Sequence, residues 1–182
     1  MLTLVILFAL LLSFYGGYRR GLAYQIVFVV GYLLSFIVAR MFYQRLGSHL
    51  ELFVPYPSVT NDSKMLYYSV EQAFNLDKAF YAGVAFVMIL IAGWLVTHLI
   101  AIFFKDLLYK VMIPQYDGIA AGILQLIVCY VGIFLILKLV SFVPMAVVQN
   151  QIEGSWYARF MIEHSLFLSS QFNNLWVTKI IG

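Results

Sequence analysis

Apolar residues run almost unbroken through four stretches of this chain: Met1 to Tyr15, Leu22 to Tyr43, Phe80 to Phe104 and Ile119 to Val143. Hydrocarbon offers peptide groups no hydrogen-bond partner, so a segment that crosses a bilayer must be a helix of about 20 apolar residues. Three stretches meet that length. The first, taken through Tyr18, only just does, which implies a small tilt or local thinning of the bilayer. The pattern predicts an all-α membrane protein, a single integral domain over residues 1–182 with crossings near 1–18, 22–43, 80–104 and 119–143. The first stretch has no basic leader and no small-residue cleavage site; Tyr18, Arg19 and Arg20 follow it, so it is expected to stay as the first helix.

Polar residues gather in two places. In the loop over residues 44–78, Pro55 and Pro57 break any helix and Ser58 to Lys64 reads as an exposed turn. From Met65 to Phe74, the line of Leu66, Val70 and Phe74 predicts a short amphipathic helix in the interface plane. In the tail over residues 144–182, Pro144 closes the fourth crossing and Gln149 to Gly154 reads as a break. A second interfacial helix is expected to restart at Ser155 as N-cap. Trp156, Phe160, Met161, Phe167 and Leu168 would share one side of it, and Arg159, Glu163 and Ser170 the other, with Arg159 and Glu163 at pairing distance. Asn173 to Gly182 is expected to be a loosely held end.

Composition agrees with a lipid solvent. Only 10% of residues are charged and 64% are hydrophobic, against the roughly 25% charge of a soluble domain. The single cysteine, Cys129, excludes an intramolecular disulfide and any cysteine-based metal cluster. A net charge of +3 spread along the chain gives no basic stripe, so no nucleic-acid partner is expected. The lipid bilayer is the expected partner. Lysines and arginines on the two sides nearly balance; the compact Arg19-Arg20 turn favours a cytoplasmic corner with both termini outside.

Small residues recur at helical spacing within the crossings. Gly31, Ser35 and Ala39 follow at steps of four; Gly118, Gly122, Gln125, Cys129 and Gly132 follow at steps of four, three, four and three. Lipid tails give helices no hydrophobic reason to associate, so close backbone approach at small residues supplies the attraction. These stripes either pack the bundle or, in the fourth helix, pair protomers or line a narrow path. Three ionisable residues lie within crossings and are functional candidates by position: Arg40, His98 and Lys138. Arg40 and Lys138 stand near helix ends, where a long side chain snorkels to the headgroups. His98 is read first as a hydrogen-bonded interface residue. No crossing contains a carboxylate to partner them, which speaks against a proton-coupled transporter. Asp117, opening the fourth helix, reads as an N-cap. No constellation for catalysis, cofactor binding or metal ligation can be assembled, and the chain is expected not to be an enzyme and to carry no cofactor.

The corner Gly17-Tyr18-Arg19-Arg20-Gly21-Leu22, a second helix carrying Gly31, and Asp117-Gly118-x-x-x-Gly122 together resemble the colicin V production protein (CvpA) family of bacterial inner-membrane proteins, in its Gram-positive form. The family often carries an aspartate in the first helix, where this chain has Thr3 nearby. The resemblance implies a multi-pass protein tied to production or export of peptide toxins such as bacteriocins and to envelope upkeep. It implies Gly17, Arg19, Arg20, Gly21, Asp117, Gly118 and Gly122 as motif positions, read as hinges and caps. The expected role is a non-enzymatic scaffold that displays its polar loop and tail to export or envelope proteins. The alternative is a small channel or transporter subunit, with the Gly118–Gly132 stripe and Gln125 facing a path between protomers.

Overall fold

The computed structural model describes residues 1–57, 65–68, 76–178 and 180, and among them the chain is helical with no strand. The long helices are α1 (Leu2–Arg20), α2 (Leu22–Leu50), α3 (Leu76–Ala101) and α4 (Asp117–Ser141). A 3₁₀ segment, Ile102–Tyr109, prolongs α3 past a kink at Phe104. All four are long and apolar enough to cross a membrane. The tail forms α5 (Ala146–Glu153), α6 (Trp156–His164), α7 (Leu166–Asn173) and a π turn, Asn174–Thr178.

The helices depart from the hydropathy pattern where chain chemistry, not polarity, sets their ends. α2 continues past Tyr43 to Leu50, through residues expected to be loop. Nothing in Gln44 to His49 breaks a helix, and the Ser48 hydroxyl and His49 Nδ1 donate to the Arg45 carbonyl at 2.9 and 2.8 Å. α5 likewise occupies the expected break, because Gln149 and Ile152 share an inward face and both are buried. The expected helix from Met65 to Phe74 is bent over residues 65–68, and its remainder lies outside the described residues.

The chain divides into two compact units. The first comprises Met1–Leu4, Phe42–Val87 and Phe134–Gly182. Its core is aromatic. The Trp176 ring is wholly buried, 5.1 Å from Phe172, 5.6 Å from Phe86 and 6.1 Å from Phe142. Edge-on aromatic pairs add about 0.5–1.5 kcal/mol each beyond the area they bury. Tyr43 donates to the Leu175 carbonyl at 3.0 Å, and Gly83 leaves room for the indole, which would stand 3.3 Å from a methyl there. Within the expected loose end, the described stretch Asn174–Thr178 is therefore a core element. Its polar neighbours hide the signal, while the large apolar area of Trp176 decides the outcome.

Two further features of the tail settle its local geometry. Ser155 caps α6, accepting from the Ala158 amide at 3.3 Å. The aromatic side expected for that helix is divided: Met161 is buried, whereas Trp156 and Phe160 are 67% and 43% exposed, and the Phe167 side chain lies outside the described residues. Gln149 is a clasp. Its Nε2 donates to the carbonyls of Ser141 and Val143, and its Oε1 accepts from the Leu66 amide. The Ser141 carbonyl is the last of α4, one that the helix itself leaves unpaired, and Val143 lies just beyond it.

The second unit comprises Val5–Met41 and Met88–Ile133. Here α2 and α3 meet through two reciprocal small-residue pairs. Gly31 lies against Thr97, and Gly93 lies against Ser35. The Ser35 hydroxyl donates to the Gly31 carbonyl and the Thr97 hydroxyl to the Gly93 carbonyl, each at 2.7 Å. Each hydroxyl is thus satisfied within its own helix while its side chain, oxygen included, packs on the glycine opposite.

Candidate functional site

The residues carrying the family resemblance converge within the second unit. α1 ends at Arg20, and Gly21 takes a φ of +76°, a left-handed conformation that only glycine adopts without cost. The chain turns at this one residue and enters α2 at Leu22. A side chain on Gly21 would also stand 2.9 Å from the Asp117 carboxylate.

Asp117 is the first residue of α4, yet it does not cap its own helix. Its Oδ2 accepts from the Leu22 amide at 2.8 Å, and its Oδ1 accepts from the Met112 and Ile113 amides at 2.8 and 3.3 Å. The expected cap therefore acts in trans: one carboxylate satisfies an unpaired amide at the start of α2 and fastens the segment leading into α4. Hydrogen bonds to a charged acceptor are worth about 1.5–3 kcal/mol each.

Below this clasp α1 and α4 touch along their small residues. A methyl on Gly17 would be 2.5 Å from Gln125 Cβ and 2.6 Å from the Ala121 carbonyl, so no larger residue fits there. Gly118 lies beneath the Tyr18 ring and Gly122 beneath the Phe14 ring. Ser13 donates to the Gln125 carbonyl at 3.1 Å, and Gln25 Nε2, wholly buried on α2, donates to Gln125 Oε1 at 2.7 Å. Three helices are joined at Gln125. The fourth-helix stripe is covered by α1 from Gly118 through Gln125, whereas Gly132 is exposed with nothing within 4 Å of where a Cβ would be.

The arginines of the corner serve two surfaces. Arg20 lies over the Phe28 ring at 4.7 Å, and the exposed Arg19 lies 6.0 Å from the Tyr15 ring. His98 donates through Nδ1 to the Trp94 carbonyl at 2.9 Å and packs between the Trp94 and Phe28 rings at 4.3 and 4.9 Å. Arg40 is exposed and Ala39 fully buried.

Lys138, in the first unit, departs from the snorkelling expectation. It is only 5% exposed, its Nζ donates to the Tyr68 hydroxyl at 2.9 Å, and the Tyr68 and Phe142 rings lie within 6 Å. A phenol and a ring face stand where headgroup water was expected. Nearby, burial and the adjacent Glu163 carboxylate push the Tyr67 phenol up to about 12. The sequence assigns no partner to Tyr68, in a loop, or to Gln149, in the polar run that became α5; only the fold supplies one.

Comparisons with known proteins place the chain in a family. The sequence profile of the colicin V production protein family matches residues 2–166. The chain is 26% identical over 176 residues to an uncharacterised transmembrane protein of Bacillus subtilis (strain 168), YshB, covering 97% of each. No solved structure matches. With the profile spanning both motif segments and all four apolar helices, this transmembrane chain belongs to the colicin V production protein family.

Proposed function

We propose that this protein is a non-enzymatic scaffold in the cytoplasmic membrane of a bacterium, serving production or export of peptide toxins such as bacteriocins and upkeep of the envelope. Family membership supports the biological setting. One observation carries the scaffold reading: Gly17, Gly21, Asp117, Gly118 and Gly122 are all consumed in holding three helices together. The Asp117 carboxylate accepts three backbone amides and so is held as a structural anion rather than poised for chemistry. The exposed Trp156–Phe160–His164 stack on α6, with rings 5.9 and 5.5 Å apart, supports a face for headgroups or for an export or envelope protein.

The test is toxin release from a bacteriocin-producing host lacking the chain. Lost release, restored by the wild-type chain and by Trp156→Ala/Phe160→Ala only in part, fits the scaffold; unchanged release on deletion overturns it. The exposed Gly132 favours one second reading, a path between two copies of the chain. Solute flux through purified protein in liposomes that Gly132→Leu abolishes would select that reading; the scaffold predicts no flux above empty liposomes.

A further inference from the structure

A cavity of about 520 Å³ opens in the first unit, bounded by the end of α4, the tail helices and the loop at Tyr67 and Tyr68. Among the described residues its walls carry one cation, Lys138, and one anion, Glu163. The two do not pair with each other: Lys138 donates to Tyr68, and Glu163 lies 3.8 Å from His164. Among the described residues Lys138 meets no carboxylate, although it is nearly buried. An ammonium in such a place is costly unless an anion joins it. The buried Tyr67 hydroxyl stands beside the Glu163 carboxylate, not beside Lys138. Glu163 is exposed, so it belongs to the mouth and Lys138 to the floor.

We propose that this cavity binds an aminophosphate group, a phosphate on Lys138 with a primary ammonium on Glu163. Opposite charges at separate depths select a zwitterion over a plain anion, because a second negative group at the mouth would face the carboxylate. Lys138 stands three residues before the end of α4, at headgroup depth for a crossing helix, which makes an aminophospholipid headgroup one source. A free aminoalkyl phosphate is the other. This inference rests on the transmembrane fold and is independent of the toxin reading.

Retention of phosphatidylethanolamine, phosphatidylcholine and phosphatidylglycerol by the purified full chain in mixed micelles, read by native mass spectrometry, tests it. The wild type is expected to prefer phosphatidylethanolamine at least about tenfold over phosphatidylglycerol, with Lys138→Met lowering retention of all three about tenfold. Glu163→Gln should erase the preference for the ethanolamine headgroup without reducing total retention. Glu163 is exposed, so this variant folds whether or not Lys138→Met does. Competition by free phosphoethanolamine, with inorganic phosphate as control, separates the sources: full displacement indicates a soluble ligand, and none indicates lipid. Unchanged lipid preference in Glu163→Gln, or wild-type retention in a folded Lys138→Met, overturns the proposal.

Discussion

The two units hold their helices by opposite means. In the second, side chains are reduced to nothing at the points of contact, and glycines let backbones and hydroxyls meet. In the first, bulk fills the centre, with Trp176, Phe86, Phe134 and Phe142 buried together. Helices surrounded by lipid gain nothing by hiding apolar area, so they associate through closeness of approach. In the first unit Phe86 and Phe134, themselves within the crossings, receive the rings of the tail, and edge-on pairs add about 0.5–1.5 kcal/mol each beyond the area they bury. The contrast teaches that apolar helices are joined either by close backbone approach or by interlocking rings, and that hydropathy alone does not say which.

The sharpest way to break the comparison is Gly17→Leu. A leucine there meets the Ala121 carbonyl and Gln125 Cβ head-on, so α1 must leave α4, and the folded protein is expected to disappear from membranes when its level is measured by immunoblot. The same substitution at Gly16, where nothing lies within 4 Å, should leave the level unchanged. Next comes Trp176→Ala, which empties the aromatic core and is expected to cost about 3–5 kcal/mol in steady-state unfolding of purified protein. Proteolysis should then cut the tail while the segments of the second unit stay protected. A cut pattern spreading equally through both units would contradict their separate adhesion.

Asp117→Asn ranks third. An amide keeps one acceptor oxygen and places a donor against another backbone amide, so about 1.5–3 kcal/mol should be lost, read as a lower thermal midpoint in detergent. Thr97→Val is the smallest. It preserves shape against Gly31 and removes only a bond within α3, so about 0.6 kcal/mol is expected, in the range of single hydrogen bonds measured between membrane helices. A loss above 2 kcal/mol would mean that polarity, and not fit, joins α2 to α3.

The crossings were legible because apolar length responds to one variable, the thickness of hydrocarbon. The corner at Gly21 and the cap at Ser155 were legible because each is local chemistry. Which residues would face one another was less so. The spans are apolar on every side, so no stripe of polarity marks an outward face, and Gly31, Gly118 and Gly122 could be recognised as contact residues without naming Thr97, Tyr18 or Phe14 opposite them. Asp117 was read as a cap, but its recipient at Leu22 lies 95 residues away. Lys138 and Trp176 were misplaced for a shared reason. Each was judged by the polarity of its neighbours in sequence, while its true surroundings, Tyr68 and Phe86, come from distant segments.

The position of Trp176 has a bearing on biosynthesis. Phe86 leaves the ribosome 90 residues before the indole that will cover it, an interval of roughly 5–20 s at ordinary elongation rates. Throughout that wait Gly83 and Phe86 border a socket with no occupant, on a helix already delivered to the bilayer. An insertase or chaperone that shields nascent spans would find its longest engagement there, and slowing translation downstream of α4 should prolong it.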